Sequence, residues 1–292
     1  MTETEPGSIL MDDPGNVIPR PVFTYPELKS LVKIFFFLLF SSIVFGIFVR
    51  VFLAFLNDEN IKSPLIRSFL NLVAYLAVLL LTIRYAVKKR QKQTGASFAI
   101  TWGKIQRRMI PVFIISALAL IVGLEWLSTL IPMPQSIQKL FENTFRKDIF
   151  SIVTMVVAAP ILEEVLCRGI ILHGLLKRCS AANAILISAI FFALIHMNPW
   201  QALPAFAGGI FIGWVYYKTQ SIVPGIIIHA TINATASAFL FLPRRQQGFR
   251  SLLGPSHYLI LCVIAIVIYT IGCIVIYKRG SIMHESMNGL NK

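Results

Sequence analysis

The chain has 292 residues, of which 56% are hydrophobic and only 14% are charged. Soluble domains carry about 25% charged residues, so this composition excludes an ordinary soluble protein and predicts an integral membrane protein. The formal net charge of +14 does not predict nucleic acid as a partner, because the basic residues cluster beside apolar runs. That distribution is typical of cytoplasmic loops and of contact with anionic membrane lipids.

Apolar runs along the chain predict an all-α polytopic membrane protein with about eight transmembrane helices. Residues 1–29 are polar, acidic and rich in proline, and they predict a disordered cytoplasmic tail. A single helical membrane domain is expected over residues 30–280, and a short cytoplasmic tail over residues 281–292. The predicted spans are 34–56, 64–86, 109–131, 149–176, 181–197, 203–217, 222–242 and 256–277. The sixth span contains Gly209 and Gly213, a spacing that favours close helix packing.

The basic segment between the second and third spans predicts the orientation in the membrane. It includes the run VKKRQKQ at 87–93. The excess of Lys and Arg in cytoplasmic loops puts this segment in the cytoplasm. Both termini are then cytoplasmic too, and the bacterial plasma membrane is the expected location. Arg244, Arg245 and Arg250 argue against this orientation, because they fall in a loop that it places outside.

Three charged residues lie inside the fourth span, at Glu163, Glu164 and Arg168. A charge at bilayer depth costs about 3 kcal/mol on insertion scales, so a charge there indicates a functional site or a buried ion pair. Glu164 and Arg168 are four residues apart and share a helix face, which predicts that they pair. Glu163 points about 100° away on an α-helix and needs another partner or a function.

Two later spans supply polar residues at a similar predicted depth. Phe192 and His196 are four residues apart in the fifth span, and His229 and Asn233 are four apart in the seventh. Taken singly, each histidine could be interfacial or could hydrogen-bond a neighbouring helix. At about 1.5 Å per residue from the basic flanks, Glu163 and the two histidines fall within a turn or two of one level. The sequence therefore predicts one shared polar site near the middle of the membrane.

These residue types favour hydrolysis of an amide bond by an activated water. A carboxylate can deprotonate a water that an imidazole orients. A histidine and an asparagine on one helix face can donate two hydrogen bonds to a developing oxyanion. Two other interpretations remain open: a proton-coupled transporter that uses the buried charges as an ion path, and a non-catalytic scaffold that keeps the motifs for binding a partner.

The three motifs resemble those of the CAAX protease and bacteriocin-processing family, which includes the Abi and Rce1-like intramembrane proteases. The segment EEVLCRG at 163–169 is similar to the family's Glu-Glu-x-x-x-Arg pattern. FALIH at 192–196 matches Phe-x-x-x-His, and HATIN at 229–233 matches His-x-x-x-Asn, in the family's order. The protease-like core covers about 149–242, and the resemblance implies an eight-helix membrane fold.

The resemblance also implies a role for each matching residue. Glu163 would be the general base on the catalytic water, and His196 would help to bind and activate that water. His229 and Asn233 would form the oxyanion hole. The residues that would shape the site or bind substrate are Glu164, Arg168 and Phe192.

The implied substrate is a prenylated C-terminal Cys-a-a-X peptide or another C-terminal or membrane-proximal peptide. Some bacterial members of the family act in bacteriocin self-immunity, so a non-catalytic immunity protein is a further alternative. No cofactor is expected. Zinc held by Glu163, His196 and His229 is the alternative, because two histidines and one glutamate can bind zinc. The pairing of His229 with Asn233 favours hydrogen-bond donation and a metal-independent mechanism.

Overall fold

The computed structural model describes residues 25–55, 63–128 without 96, 98, 99, 101 and 104, the stretches 130–131 and 133–135, and residues 146–289. Most of the predicted N-terminal tail and most of the loop before the fourth span therefore lie outside the described residues. The final helix continues to Gly289, so its backbone includes most of the predicted 281–292 tail.

All regular structure in the described part of the chain is helical, which confirms the predicted all-α class. A 3₁₀ turn at Arg107–Met109 leads into the third helix, and a short helix at Phe249–Leu253 precedes the last one. The main helices are α1 (Leu28–Phe55), α2 (Pro64–Thr94), α3 (Ile110–Ser128), α4 (Ile149–Leu175), α5 (Ala181–Leu194), α6 (Pro199–Thr219), α7 (Ile222–Leu240) and α8 (Pro255–Gly289).

Six helices within the described ranges are long and apolar enough to cross a bilayer, namely α1, α2, α3, α4, α7 and α8. Exposed apolar side chains such as Phe36 and Phe40 on α1, and Ile260 and Val263 on α8, present surfaces that lipid can cover. A polytopic membrane protein is thereby confirmed, whereas the predicted number of eight spans is not. Helix α5 is apolar but has only 14 residues.

Side-chain caps define where several helices begin. Ser63 caps α2, Asp148 caps α4, Ser180 caps α5, Asn198 caps α6 and Ser221 caps α7, each accepting a hydrogen bond from a backbone N–H in the first turn. Such caps satisfy N–H groups that have no partner within the helix. The caps at 180, 198 and 221 leave only short connections between α4, α5, α6 and α7, which therefore follow one another as neighbouring helices.

Glycines on α6 allow the closest helix contact around the site. A Cβ atom at Gly209 would lie 3.3 Å from Ala189 Cα of α5, and one at Gly213 would lie 3.2 Å from Ile185 Cγ2. These contacts confirm the close packing predicted from the spacing of the two glycines. They hold α5 and α6 together, and α5 in turn packs against the second half of α4.

Helix α4 lies between α2, α5 and α7, and it is not a regular α-helix. Two π-helical segments, Thr154–Ala158 and Val165–Leu172, flank a short α-helical stretch, Ala159–Glu164. The Ala159 N–H donates to the Thr154 carbonyl, five residues back. Residue 160 is proline and has no N–H, so it cannot donate to the Met155 carbonyl five residues before it. Departures from α-helical to π-helical geometry occur often at functional sites.

Candidate active site

Glu164 and Arg168 form a fully buried ion pair on α4, as their spacing predicted. Arg168 Nη1 lies 2.7 Å from Glu164 Oε1, and both side chains are 0% exposed. Arg168 Nη2 donates to the Gly209 carbonyl at 2.9 Å, and its guanidinium lies 4.6 Å from the centre of the Phe192 ring. The pair therefore ties α4 to both α5 and α6, and it gives the Arg168 charge a partner inside the membrane.

The close approach of α7 to this ion pair depends on Gly225. A Cβ atom at that position would lie 2.9 Å from Glu164 Oε2 and 2.9 Å from Ile212 Cγ2. The absence of a side chain lets the backbone of α7 pass beside the Glu164 carboxylate. One turn later, α7 places His229 against the same carboxylate.

His229 lies between the two glutamates. Its Nδ1 is 3.2 Å from Glu164 Oε1, and its Nε2 is 3.9 Å from Glu163 Oε2. Because the carboxylate of Glu164 pairs with Arg168 and can only accept, the proton of this contact belongs to His229 Nδ1. Glu164 thereby fixes the orientation of the imidazole, and Nε2 faces Glu163.

Glu163 has a partner that the sequence did not indicate. The Tyr75 hydroxyl of α2 donates to Glu163 Oε1 at 2.6 Å. Glu163 Oε2 is buried and has no hydrogen-bond partner among the described residues. No signal in the sequence distinguishes Tyr75 from the other aromatic residues of the membrane helices, because its contact depends on how α2 packs against α4.

His196 contacts Phe192, and it is not paired with Glu163. His196 Nδ1 donates to the Phe192 carbonyl at 2.8 Å. The Phe192 ring meets both imidazoles edge-on, with centroid distances of 5.1 Å to His196 and 5.4 Å to His229. In the described part of the chain, no ion pair within 4.0 Å joins His196 to Glu163. His196 is thus beside the predicted site but is not in direct contact with its carboxylate.

Asn233 makes a contact that the sequence did not predict. Its side-chain Nδ2 donates to the Met155 carbonyl at 2.8 Å. That carbonyl is the one to which Pro160 cannot donate. His229 and Asn233 share a helix face, as predicted, but one of the two carboxamide hydrogens is engaged with α4.

A cavity of about 450 Å³ adjoins this group of residues. The polar residues of the site that line it are His196, His229 and Asn233, together with the Phe192 ring. Much of the remaining lining is apolar and comes from α3, α6 and α7, with members such as Ile121, Leu124, Pro204, Ile212, Ile232 and Phe239. The cavity can therefore accept an apolar segment of a ligand next to the imidazoles.

The far end of the cavity lies where α3 and α7 end. Glu125 is part of the lining there, and its carboxylate accepts hydrogen bonds from the backbone N–H groups of Phe249 and Arg250 at 2.7 and 2.9 Å. These bonds cap the short helix before α8. Gln247, which is exposed, also lines this end, so the cavity opens at that surface.

The alternative zinc site is not assembled in the described part of the chain. No group of three His, Cys, Asp or Glu side chains is placed to hold a metal ion there. Glu163 and His229 lie near each other, but His196 does not join them, and His229 Nδ1 is bonded to Glu164. The residues as placed do not fit zinc ligation, and the metal-independent mechanism stays a prediction.

Comparison with known proteins relates the segment that carries these residues to a protein family. Residues 145–235 match the family model of the type II CAAX prenyl endopeptidases, Rce1-like. This segment, about a third of the chain, is similar to the Rce1-like family. The match contains all three motifs, and it confirms the family resemblance predicted from them. The family is one of proteases, and the Rce1-like segment of this chain lies in an all-α integral membrane protein.

One curated protein is similar to a shorter part of the chain. The chain is 32% identical over 78 residues to the UPF0177 protein YxdF of Lactococcus lactis subsp. lactis (strain IL1403). The similar region is 26% of this chain and spans 42% of the length of that relative. No solved structure matches the chain.

Proposed function

We propose that the chain is an intramembrane endopeptidase in which Glu163 activates a water for hydrolysis of a peptide bond. The observation that supports this most directly is Glu163 Oε2, a buried oxygen without a hydrogen-bond partner among the described residues, 3.9 Å from His229 Nε2. Two polar atoms at this separation can share one water at about 2.8 Å from each. A carboxylate and an imidazole on one water are the groups that general-base hydrolysis needs.

In the proposed reaction, Glu163 Oε2 takes a proton from the water as its oxygen attacks the carbonyl carbon of the peptide. The carbonyl oxygen becomes an oxyanion, for which His229 Nε2–H and the second Nδ2 hydrogen of Asn233 are the donors. Collapse of this intermediate breaks the C–N bond. The departing amine takes the proton from Glu163, which regenerates the carboxylate.

The charges around His229 support its role as a donor to the oxyanion. Glu163, Glu164 and Arg168 sum to one negative charge when all three are ionised. An imidazolium at His229 would balance that charge, with Nδ1–H on Glu164 and Nε2–H directed towards Glu163 and the substrate. A charged donor in a site shielded from water stabilises an oxyanion more strongly than a neutral one.

His196 has a different part in this proposal. Because its Nδ1–H donates to the Phe192 carbonyl, the neutral imidazole presents Nε2 as an acceptor. His196 lines the cavity, where Nε2 can accept a hydrogen bond from water or from a peptide N–H. We therefore assign it to orienting the water or the substrate, with Glu163 as the base.

The proposed substrate is a peptide with an apolar portion that fits the cavity beside the imidazoles. The name of the matched family suggests a prenylated C-terminal Cys-a-a-X peptide, and another membrane-proximal peptide fits the apolar lining equally well. No metal or other cofactor takes part in the proposed steps.

The test is cleavage by the purified full-length chain in detergent. The panel comprises a prenylated Cys-a-a-X peptide and a bacteriocin leader peptide. We expect Glu163→Gln to lower kcat/KM by about 10²–10⁴-fold on whichever peptide is cleaved, the range associated with loss of a general base. The matched control is Glu27→Gln, the same chemical change at a carboxylate that pairs with Arg178 away from the site; it should retain wild-type activity.

Two results would contradict the proposal. Equal inactivity of wild type and Glu163→Gln across the panel would favour a non-catalytic immunity or scaffold protein. Activity that survives Glu163→Gln but is lost with a chelator and restored by zinc would refute the glutamate mechanism.

A further inference from the structure

Tyr75 is bonded to the proposed base although it comes from outside the Rce1-like segment. Its hydroxyl donates to Glu163 Oε1 at 2.6 Å, within the range of about 2.5–2.7 Å typical of a hydroxyl on a charged carboxylate. Among the described residues, no other side chain donates a hydrogen bond to Glu163. Tyr75 lies on α2, whereas the family match covers residues 145–235, so that match assigns it no role.

The two oxygens of Glu163 have different surroundings because of this bond. Oε1 is taken by Tyr75, and Oε2 is left without a partner, 3.9 Å from His229 Nε2. A carboxylate without the tyrosine could rotate about its last torsion, which is broad in glutamate. The hydroxyl therefore selects the rotation in which Oε2 faces His229.

The Tyr75 hydroxyl also replaces a hydrogen bond to water that Glu163 loses on burial. The Glu163 side chain is only 12% exposed. Burial of a carboxylate away from water is unfavourable unless hydrogen bonds replace those to water. Arg168 pairs with Glu164 instead, so the Tyr75 hydroxyl is the hydrogen-bond donor that Glu163 has among the described residues.

We propose that Tyr75 is a positioning residue for the reaction, which holds the Glu163 carboxylate turned towards His229. This inference rests on the proposed function, because it assigns Glu163 as the base. Tyr75 acts through Glu163 and has no contact with the reacting bond of its own.

Removal of one oxygen atom tests this role. The Tyr75 ring packs against the main buried cluster of apolar side chains, so Tyr75→Phe keeps the ring and deletes the hydroxyl. The matched control is Tyr258→Phe, which deletes a hydroxyl that donates to the Val122 carbonyl at 2.9 Å, between α8 and α3. Both variants lose one tyrosine hydrogen bond between helices, and only Tyr75→Phe loses it at Glu163.

On a peptide that the wild type cleaves, we expect Tyr75→Phe to lower kcat by about 10- to 100-fold with KM within about twofold, because the water is misplaced while the substrate site is intact. Tyr258→Phe should keep both constants within about twofold. A wild-type kcat in Tyr75→Phe overturns the proposal.

A second measurement is independent of activity. Dicyclohexylcarbodiimide modifies carboxyl groups inside membranes, and mass spectrometry of the Glu163 peptide gives the rate of that modification. Loss of the Tyr75 hydroxyl frees Glu163 Oε1 from its hydrogen bond, so the rate at neutral pH should rise severalfold in Tyr75→Phe and stay unchanged in Tyr258→Phe. If no peptide is cleaved even by the wild type, the proposed function fails. The modification rate then tests the Tyr75 contact by itself, and an unchanged rate in Tyr75→Phe shows that Tyr75 does not hold the carboxylate.

Discussion

Asn233 carries a structural contact as well as its proposed part in catalysis. In a π segment the Met155 carbonyl would accept from the N–H of residue 160, which proline lacks. Asn233 Nδ2 supplies the missing donor at 2.8 Å. A carboxamide has two N–H hydrogens, so one remains for the cavity that Asn233 lines. Loss of activity in an Asn233 variant could therefore come from either hydrogen.

A pair of substitutions separates these two roles. Asn233→Ala should lower the free energy of unfolding by about 1–3 kcal/mol, because it leaves a buried carbonyl without a donor, and it should abolish most activity. Adding Pro160→Ala gives residue 160 an N–H that can donate to Met155. The double variant should regain thermal stability in detergent without regaining cleavage, whereas Pro160→Ala alone should remain active. Recovery of activity in the double variant would show that Asn233 acts only through α4.

The residue contacts that could be predicted from the sequence are those within one helix. Glu164 and Arg168 pair because a separation of four residues fixes their relation whatever the neighbouring helices do. The shared depth of Glu163 and His229 could likewise be counted from the basic flanks. The contacts of Tyr75 and of Met155 depend on which helices are neighbours and on the irregular backbone of α4. Neither is encoded in a local spacing.

At the scale of elements, length and polarity explain why α5 and α6, two of the eight predicted spans, are not among the six helices long and apolar enough to cross a bilayer. Helix α6 contributes Gln201, Pro204 and Gly208 to the cavity lining, and its sequence is correspondingly less apolar. Helix α5 ends at Leu194, just before His196 and the cap at Asn198. Two of the helices that shape the site, α5 and α6, are therefore those with the weakest membrane signal.

The start of α4 is held to α2 by Asp148. The Ser68 hydroxyl donates to Asp148 Oδ2 at 2.6 Å, and the Ser151 N–H donates to Oδ1 at 3.0 Å. Burial alone would raise the pKa of Asp148, but these hydrogen bonds outweigh it and hold the pKa below its ordinary value of 3.8. A carboxyl group whose pKa is lower in the folded state stabilises the fold above its unfolded pKa.

This contribution predicts a pH dependence of stability. It should be fully present at neutral pH and should be lost as the pH falls through the lowered folded-state pKa, that is, below about 4. Asp148→Asn should lower the unfolding temperature at neutral pH, and the difference from wild type should shrink as the pH falls towards about 3. Unfolding temperatures in detergent from pH 3 to pH 7 give the comparison. A difference that grows on acidification would mean that the ionised form of Asp148 does not stabilise this junction.

At the scale of the whole molecule, the cavity and the most basic surface lie at opposite ends of the helices. The Ser221 hydroxyl donates to the Trp102 carbonyl, which places the start of α7 beside the chain that leads into α3. The basic end of α2, with Lys88 and Lys92, precedes that same segment. The cavity opens instead near Glu125 and Gln247, where α3 and α7 end. If the basic end is cytoplasmic, as the charge pattern predicts, the proposed substrate reaches the site from the other face of the membrane.

Thiol labelling in intact cells tests this orientation together with the direction of access. In a chain whose native cysteines are replaced by alanine, Gln247→Cys should react with a membrane-impermeant maleimide added outside. Lys92→Cys should react only after the membrane is opened, because both side chains are exposed but at opposite ends. Right-side-out vesicles should then cleave an added peptide that inverted vesicles leave intact. The reverse pattern would place Arg245 and Arg250 in the cytoplasm, as their charges alone would favour, and would open the cavity to cytoplasmic peptides.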